Sequence, residues 1–215
     1  MIEEILKLDS KLLIFLNNLG VPRFDNFWVS LSKIEANILM YLFLICLFFY
    51  IQKARLKFSN ILYLIFVIAI MITITDQGAN LFKDSFQRLR PCYDETIKDS
   101  IRLVKDNCGG KYGFFSAHAS NSFSLAIFFG LLFSNRIRYI ILITLVYASF
   151  ISYSRIYLGV HFPIDIIFGS LFGLFIGFSI YKFVYLKFLK FFDKVIFENY
   201  GFRFFIFFII CGIKF

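Results

Sequence analysis

The chain has 215 residues, of which 60% are hydrophobic and 21% aromatic, a mean hydropathy of +0.77 and a formal net charge of +9. An ordinary soluble domain is roughly 45–50% apolar, so this composition excludes one and predicts an integral membrane protein. The Lys and Arg residues sit in short loops between apolar runs rather than along one soluble face, so the charge reports membrane topology, and no nucleic-acid partner is expected.

Residues 1–35 form the first segment. Ile5, Leu8, Leu12, Phe15 and Leu16 recur at helical spacing with charges between them, which predicts an amphipathic helix lying along the outer interface. Phe24, Phe27 and Trp28, the single tryptophan, suit the same layer. Glu3, Glu4, Lys7, Asp9 and Lys11 interrupt any signal-peptide pattern, so the first true span is expected to direct insertion.

Helices need about 17–25 residues to cross a bilayer. Apolar runs at 36–51, 61–82, 117–133, 139–153 and 164–186 give five spans in one unit, 36–186. A basic, apolar tail, 187–215, follows; its stretch 202–213 reads as a half-span or a second surface helix. The predicted fold is all-α: a helical bundle of five to six transmembrane helices with an N-terminal interfacial helix.

Cytoplasmic loops hold the excess of Lys and Arg. Lys53, Arg55 and Lys57, then Arg136 and Arg138, then Lys182, Lys187, Lys190 and Lys194 therefore mark one side. Alternation puts 83–116 and 155–163 together on the extracytoplasmic side. Both of the chain's histidines, His118 and His161, lie at the membrane edge of these stretches.

Three polar elements carry the chemistry. The first is Lys83 with Arg90-Pro91: if the second span stays helical beyond the membrane, the two cations fall on nearly one face, and Pro91 disfavours helix at Arg90. Asp76, seven residues before Lys83, could hold that lysine. The second is Phe115-Ser116-Ala117-His118, where Ser116 is an expected N-cap, so free amides and the positive helix end offer a place for a phosphate oxygen beside His118. The run 119–122 also suits close helix packing.

The third is Ser154-Arg155 followed by His161 and Asp165. Pro163 fits the first turn of the last span, which puts Asp165 within reach of His161 four residues earlier. Ionisable groups at membrane depth cost roughly 2.5–3.5 kcal/mol each on insertion scales, so several together argue for a function. Cys92 and Cys108 share one polar loop and form a possible disulfide in an oxidising compartment. No cysteine–histidine pattern or acidic cluster suggests a metal, and no cofactor is expected.

With these elements the chain resembles the type 2 phosphatidic acid phosphatase superfamily, which shares its site with vanadium haloperoxidases. Lys83, Arg90 and Pro91 match Lys-x6-Arg-Pro, and Ser154, Arg155, His161 and Asp165 match Ser-Arg-x5-His-x3-Asp. Pro-Ser-Gly-His is met in part: Ser116 and His118 are kept, while Phe115 and Ala117 stand for Pro and Gly.

The resemblance implies metal-independent hydrolysis of a phosphomonoester or diphosphate through a phosphohistidine. His161 is then the nucleophile, Asp165 orients it, and His118 protonates the leaving oxygen and activates water. Lys83, Arg90, Ser116, Arg155 and the Ala117 amide hold the phosphoryl oxygens. A site at the outer interface of a bacterial inner membrane suits a lipid phosphate as substrate. Undecaprenyl diphosphate is expected first, then lipid A at its 1- or 4'-phosphate, then phosphatidic acid or phosphatidylglycerophosphate. Arg102, Lys105 and Lys111, in the insertion 93–111, read equally as contacts to a sugar headgroup or as a solvated lid. A non-enzymatic membrane protein is the contrasting class, and it predicts no effect of His161→Ala on phosphate release.

Overall fold

The structure, a computed structural model, describes residues 2–52, 58–104 and 108–187. All its regular elements are helical: α1 Ile2–Asn18, α2 Asp25–Ser32, α3 Ile34–Gln52, α4 Phe58–Phe86, α5 Ala117–Phe133, α6 Ile140–Tyr157 and α7 Pro163–Ser179, the last running on through a π-helical turn, Ile180–Tyr185. Among the described residues, Ile61–Phe86, Ile140–Tyr157 and Pro163–Tyr185 are long and apolar enough to cross a membrane, and α5 is a shorter apolar helix. Lys53, Arg55, Lys57, Lys190, Lys194 and the stretch 202–213 lie outside the described residues.

The α5–α7 contact is the most extensive in the bundle, with α6 and α4 on the other sides of α5. Small residues at every fourth position explain it. Ser116, Ser120 and Ser124 of α5 face Gly169, Gly173 and Gly177 of α7; a Cβ at Gly169 would lie 2.6 Å from the Ser116 carbonyl oxygen, and at the other two glycines it would collide with the next carbonyls along. Lipid tails are as apolar as leucine, so burial alone does not drive helices together in a bilayer, and close backbone approach of small residues supplies the attraction. Toward the far end, Leu64, Val67, Met71, Phe128, Phe129 and Phe133 fill the core.

Helix α6 reaches four residues beyond its expected end and takes Ser154 and Arg155 into its last turns. Nothing in 154–158 breaks a helix; Gly159 does, at φ +75°. Its amide donates to the Ile156 carbonyl (3.0 Å) and the Val160 amide to the Arg155 carbonyl (3.1 Å), a Schellman closure that turns the chain so that His161 returns toward Arg155. Helix α4 likewise runs a turn past its expected end, to Phe86, which carries Lys83 on regular helix.

Helix α1 presents its apolar stripe outward: Leu8 is 67% and Phe15 62% exposed, while Asp9, Leu13 and Asn17 are buried. Leu13 packs with Ile97, Ile156 and Phe162. Asn17 donates to the carbonyls of Arg102, Ile156 and Tyr157, tying the helix to the end of α6. The amphipathic pattern was legible as a lipid-facing stripe; the polar face, which grips the protein, was not. Trp28 lies against α6, stacked on Tyr157 and edge-on to Tyr153, whereas Phe24 and Phe27 are exposed.

Candidate active site

Three stretches converge where α4 and α6 end and α5 and α7 begin. Pro163 opens α7 at its first turn, and the Asp165 carboxylate, two residues on, accepts from the Phe162 amide at 3.0 Å through Oδ2. The same oxygen lies 3.4 Å from His161 Nδ1. Asp165 is fully buried and His161 is 2% exposed. Gly113 passes close by: a Cβ there would sit 3.2 Å from Asp165 Oδ2 and 3.6 Å from His161 Nδ1, and the Gly113 backbone hydrogen-bonds the His161 ring.

Burial, reinforced by the positive charges of Arg90, Arg155 and Lys83, holds His161 well below the usual histidine range, so its ring is neutral at pH 7. His118 feels the charges of the same three cations and of His161, which joins both histidines in one electrostatic cluster.

Arg90 has extended backbone, φ −70° and ψ 157°, as a residue before proline must. Its side chain is fixed by two carbonyls, Tyr112 on Nε at 3.2 Å and Cys108 on Nη1 at 2.9 Å. Arg155 Nη1 donates to the Ser32 hydroxyl, and its buried Nε has no hydrogen-bond partner among the described residues. Lys83 Nζ donates to Asn80 Oδ1 at 3.3 Å. These acceptors are all neutral, so the cations keep their charge for an anion. Asp76 does not serve as the lysine's hydrogen-bond partner: Asn121 takes Asp76 Oδ1 at 3.0 Å and Thr75 at 2.5 Å, because seven residues along a helix is about 10 Å, too far for one side chain to bridge easily.

Ser116 caps α5: its hydroxyl accepts from the Ala119 amide at 3.4 Å, leaving its own proton to donate. Its amide donates to the Asp165 carbonyl at 3.1 Å, which locks the start of α5 to the start of α7. Phe115, at the family's proline position, is buried among Phe82 and Phe172, with ring centroids 5.1 and 5.0 Å away, so hydrophobic packing holds the turn there. Ala117 and His118 line one end of a cavity of about 440 Å³ whose other walls include Ile38, Ile45, Ile68, Ile72 and Leu125.

A model of the PAP2 superfamily matches residues 60–189. The chain belongs to the PAP2 superfamily. Two bacterial relatives named lipid A 4'-phosphatase are each 36% identical: that of Porphyromonas gingivalis over 185 residues, 86% of this chain and 75% of the relative, and that of Bacteroides thetaiotaomicron over 183 residues, 84% and 79%. Among solved structures, Aquifex aeolicus LpxE aligns with a TM-score of 0.61 at 23% identity, covering 80% of this chain and 94% of that one. A Bacillus subtilis PAP2-type phosphatidylglycerolphosphate phosphatase aligns at 0.62 and 17%, covering 90% and 88%. This PAP2 protein is therefore a membrane phosphatase acting on a lipid phosphate. The comparisons give no support to undecaprenyl diphosphate, the substrate expected first: both relatives carry the name of the alternative.

Sequence reasoning missed Arg88, Asp9, Asn17 and Ser32. Arg88 Nη1 reaches Asp165 Oδ1 at 2.9 Å and Nη2 reaches Asp9 Oδ2 at 2.6 Å. The spacing of Asp9, Leu13 and Asn17, two turns of one helix face, was the available signal. Arg102, read as a headgroup contact or lid residue, instead pairs with Asp25 at 2.7 and 2.9 Å and lies 4.8 Å over the Tyr157 ring. Lys105 lies outside the described residues, and Lys111 is exposed.

Proposed function

We propose that this protein removes the 4'-phosphate of lipid A at the extracytoplasmic face of a bacterial inner membrane, through a phosphohistidine at His161. The observation that carries the chemistry is the neutral, buried His161 ring with Asp165 on Nδ1 and three cations around it. With Nδ1 protonated toward the carboxylate, Nε2 bears the lone pair that attacks phosphorus. As the N–P bond forms and the P–O bond breaks, the ring becomes cationic, and Asp165 stabilises that charge.

His118 gives its proton to the leaving sugar oxygen; the phosphate's own negative charge favours that proton once substrate is bound. The neutral His118 then takes a proton from water, which attacks the phosphohistidine and releases inorganic phosphate. Lys83, Arg90 and Arg155 with its unpartnered Nε, together with the Ser116 hydroxyl and the Ala117 amide, hold the equatorial oxygens where charge accumulates. No step calls for a metal, and activity is expected to persist in chelator.

The lipid A assignment rests on the two relatives at 36% identity that span most of this chain. The apolar cavity reaching His118 between α3, α4 and α5 suits an acyl chain that stays in the membrane, and Lys111 is exposed on the loop over the site for a sugar or phosphate headgroup. Detergent-purified protein supplied in parallel with bisphosphorylated lipid A, undecaprenyl diphosphate and phosphatidylglycerophosphate tests it, with product mass spectra locating the lost group. The expected outcome is lipid A lacking its 4'-phosphate; loss of only the 1-phosphate, or faster release from either other lipid, refutes the assignment.

A further inference from the structure

We infer that Arg88 and Asp9 are positioning residues that hold Asp165 in the plane that serves His161, so that the N-terminal helix completes the catalytic unit. The inference rests on the roles given above to His161 and Asp165. Asp165 divides its oxygens: Oδ2 takes the Phe162 amide and faces His161, while Oδ1 takes Arg88. A carboxylate held only through Oδ2 can still turn about its Cβ–Cγ bond; the second anchor on Oδ1 stops that rotation.

Arg88 is itself anchored twice. Its guanidinium carbon stands 4.0 Å over the Phe162 ring, and its other arm binds Asp9. Asp9 Oδ1 in turn accepts from the Ile164 amide at 3.0 Å, the residue next to Asp165. One α1 carboxylate thus grips both the start of α7 and the cation that fixes Asp165. Capping α7 does not require this, since Asp165 already satisfies the Phe162 amide.

Two buried carboxylates share one guanidinium, a costly arrangement to assemble. Only a planar fork reaches both in fixed geometry, so lysine is not equivalent to arginine here. Among the described residues neither Arg88 nor Asp9 hydrogen-bonds Lys83, Arg90 or Arg155, so their loss is expected in turnover rather than binding.

The test uses full-length protein in detergent, with p-nitrophenyl phosphate and bisphosphorylated lipid A as probes and monodispersity as the folding control. Arg88→Gln and Asp9→Asn are expected to lower kcat by about 100-fold, the scale of a misplaced catalytic group, with KM within about twofold; Arg88→Lys recovers little. The double variant is expected to be no worse than the poorer single one, since both act on Asp165. With only two histidines in the chain, 15N-histidine NMR reads the effect without turnover: His161 holds the Nδ1-protonated tautomer in the wild type and becomes a mixture in both variants. Wild-type kcat and an unchanged His161 spectrum in a folded variant overturn the inference, as does a rise in KM alone. A wild type that releases phosphate from neither probe defeats the proposed function, and the spectra still decide the positioning role.

Discussion

Arg90 donates from Nη1 to the carbonyl of Cys108 at 2.9 Å, and Cys108 is joined to Cys92, two residues after that arginine. The disulfide closes this loop on itself, so that its far end returns to hold the guanidinium that its near end supplies. Opening the bond is expected to free Arg90 and raise KM by about 10-fold, equivalent to about 1.4 kcal/mol of phosphate binding, with a smaller fall in kcat. Kinetics of the Cys92→Ser and Cys108→Ser variants, and of wild type after reduction verified by thiol mass, check this; unchanged KM after complete reduction speaks against it.

The electrostatics of His161 have a definite sign. Burial and three cations disfavour its protonated form, so the ring stays neutral as pH falls past 6.5, the usual histidine value, and gains its proton only well below it. Arg90→Gln removes one of those cations and is expected to raise the His161 titration midpoint. A 15N-histidine pH titration measures both, and a wild-type midpoint near 6.5 contradicts the stated environment.

Gly173 bears on the fold itself. Its Cα faces the Ser120 carbonyl in the tightest part of the α5–α7 contact, so Gly173→Leu is expected to force the helices apart, at a cost of roughly 1–3 kcal/mol by overpacking. Separation also breaks the hydrogen bond from the Ser116 amide to the Asp165 carbonyl. Thermal unfolding in detergent should shift down, with activity lost together with Asp165 alignment.

Ile72 lines the apolar cavity beside His118. Ile72→Trp fills it, and phosphate release from lipid A is expected to fall about tenfold or more while p-nitrophenyl phosphate, which has no acyl chain, is turned over as before. Equal losses on both substrates would mean that the cavity holds no part of the lipid.

The site was legible in the sequence wherever the geometry is local. Pro163 and Asp165 declare a helix start, and Ser116 an N-cap. The spacing from Ser154 to His161 makes sense once Gly159 is seen to reverse the chain. The all-helical membrane bundle followed from composition, because a bilayer leaves a backbone few other options. What the sequence hid is long-range and polar. Arg88 meets Asp165 across 77 positions, and Asp9 meets Ile164 across 155; no periodicity records such pairings. Helix α1 declared its apolar stripe, which is exposed as expected, but not the partners of its polar face, Asp9 and Asn17, which lie far away in sequence.

The central claim is that His161 carries the phosphoryl group. In a His118→Ala variant, p-nitrophenyl phosphate should still load His161, because its leaving group needs no proton, while the missing base stalls hydrolysis. Alkaline quenching and peptide mass spectrometry are then expected to find one phosphate on the peptide containing His161, and none in His118→Ala/His161→Ala. A phosphate on another residue, or steady release by the double variant at the rate of His118→Ala alone, would contradict it.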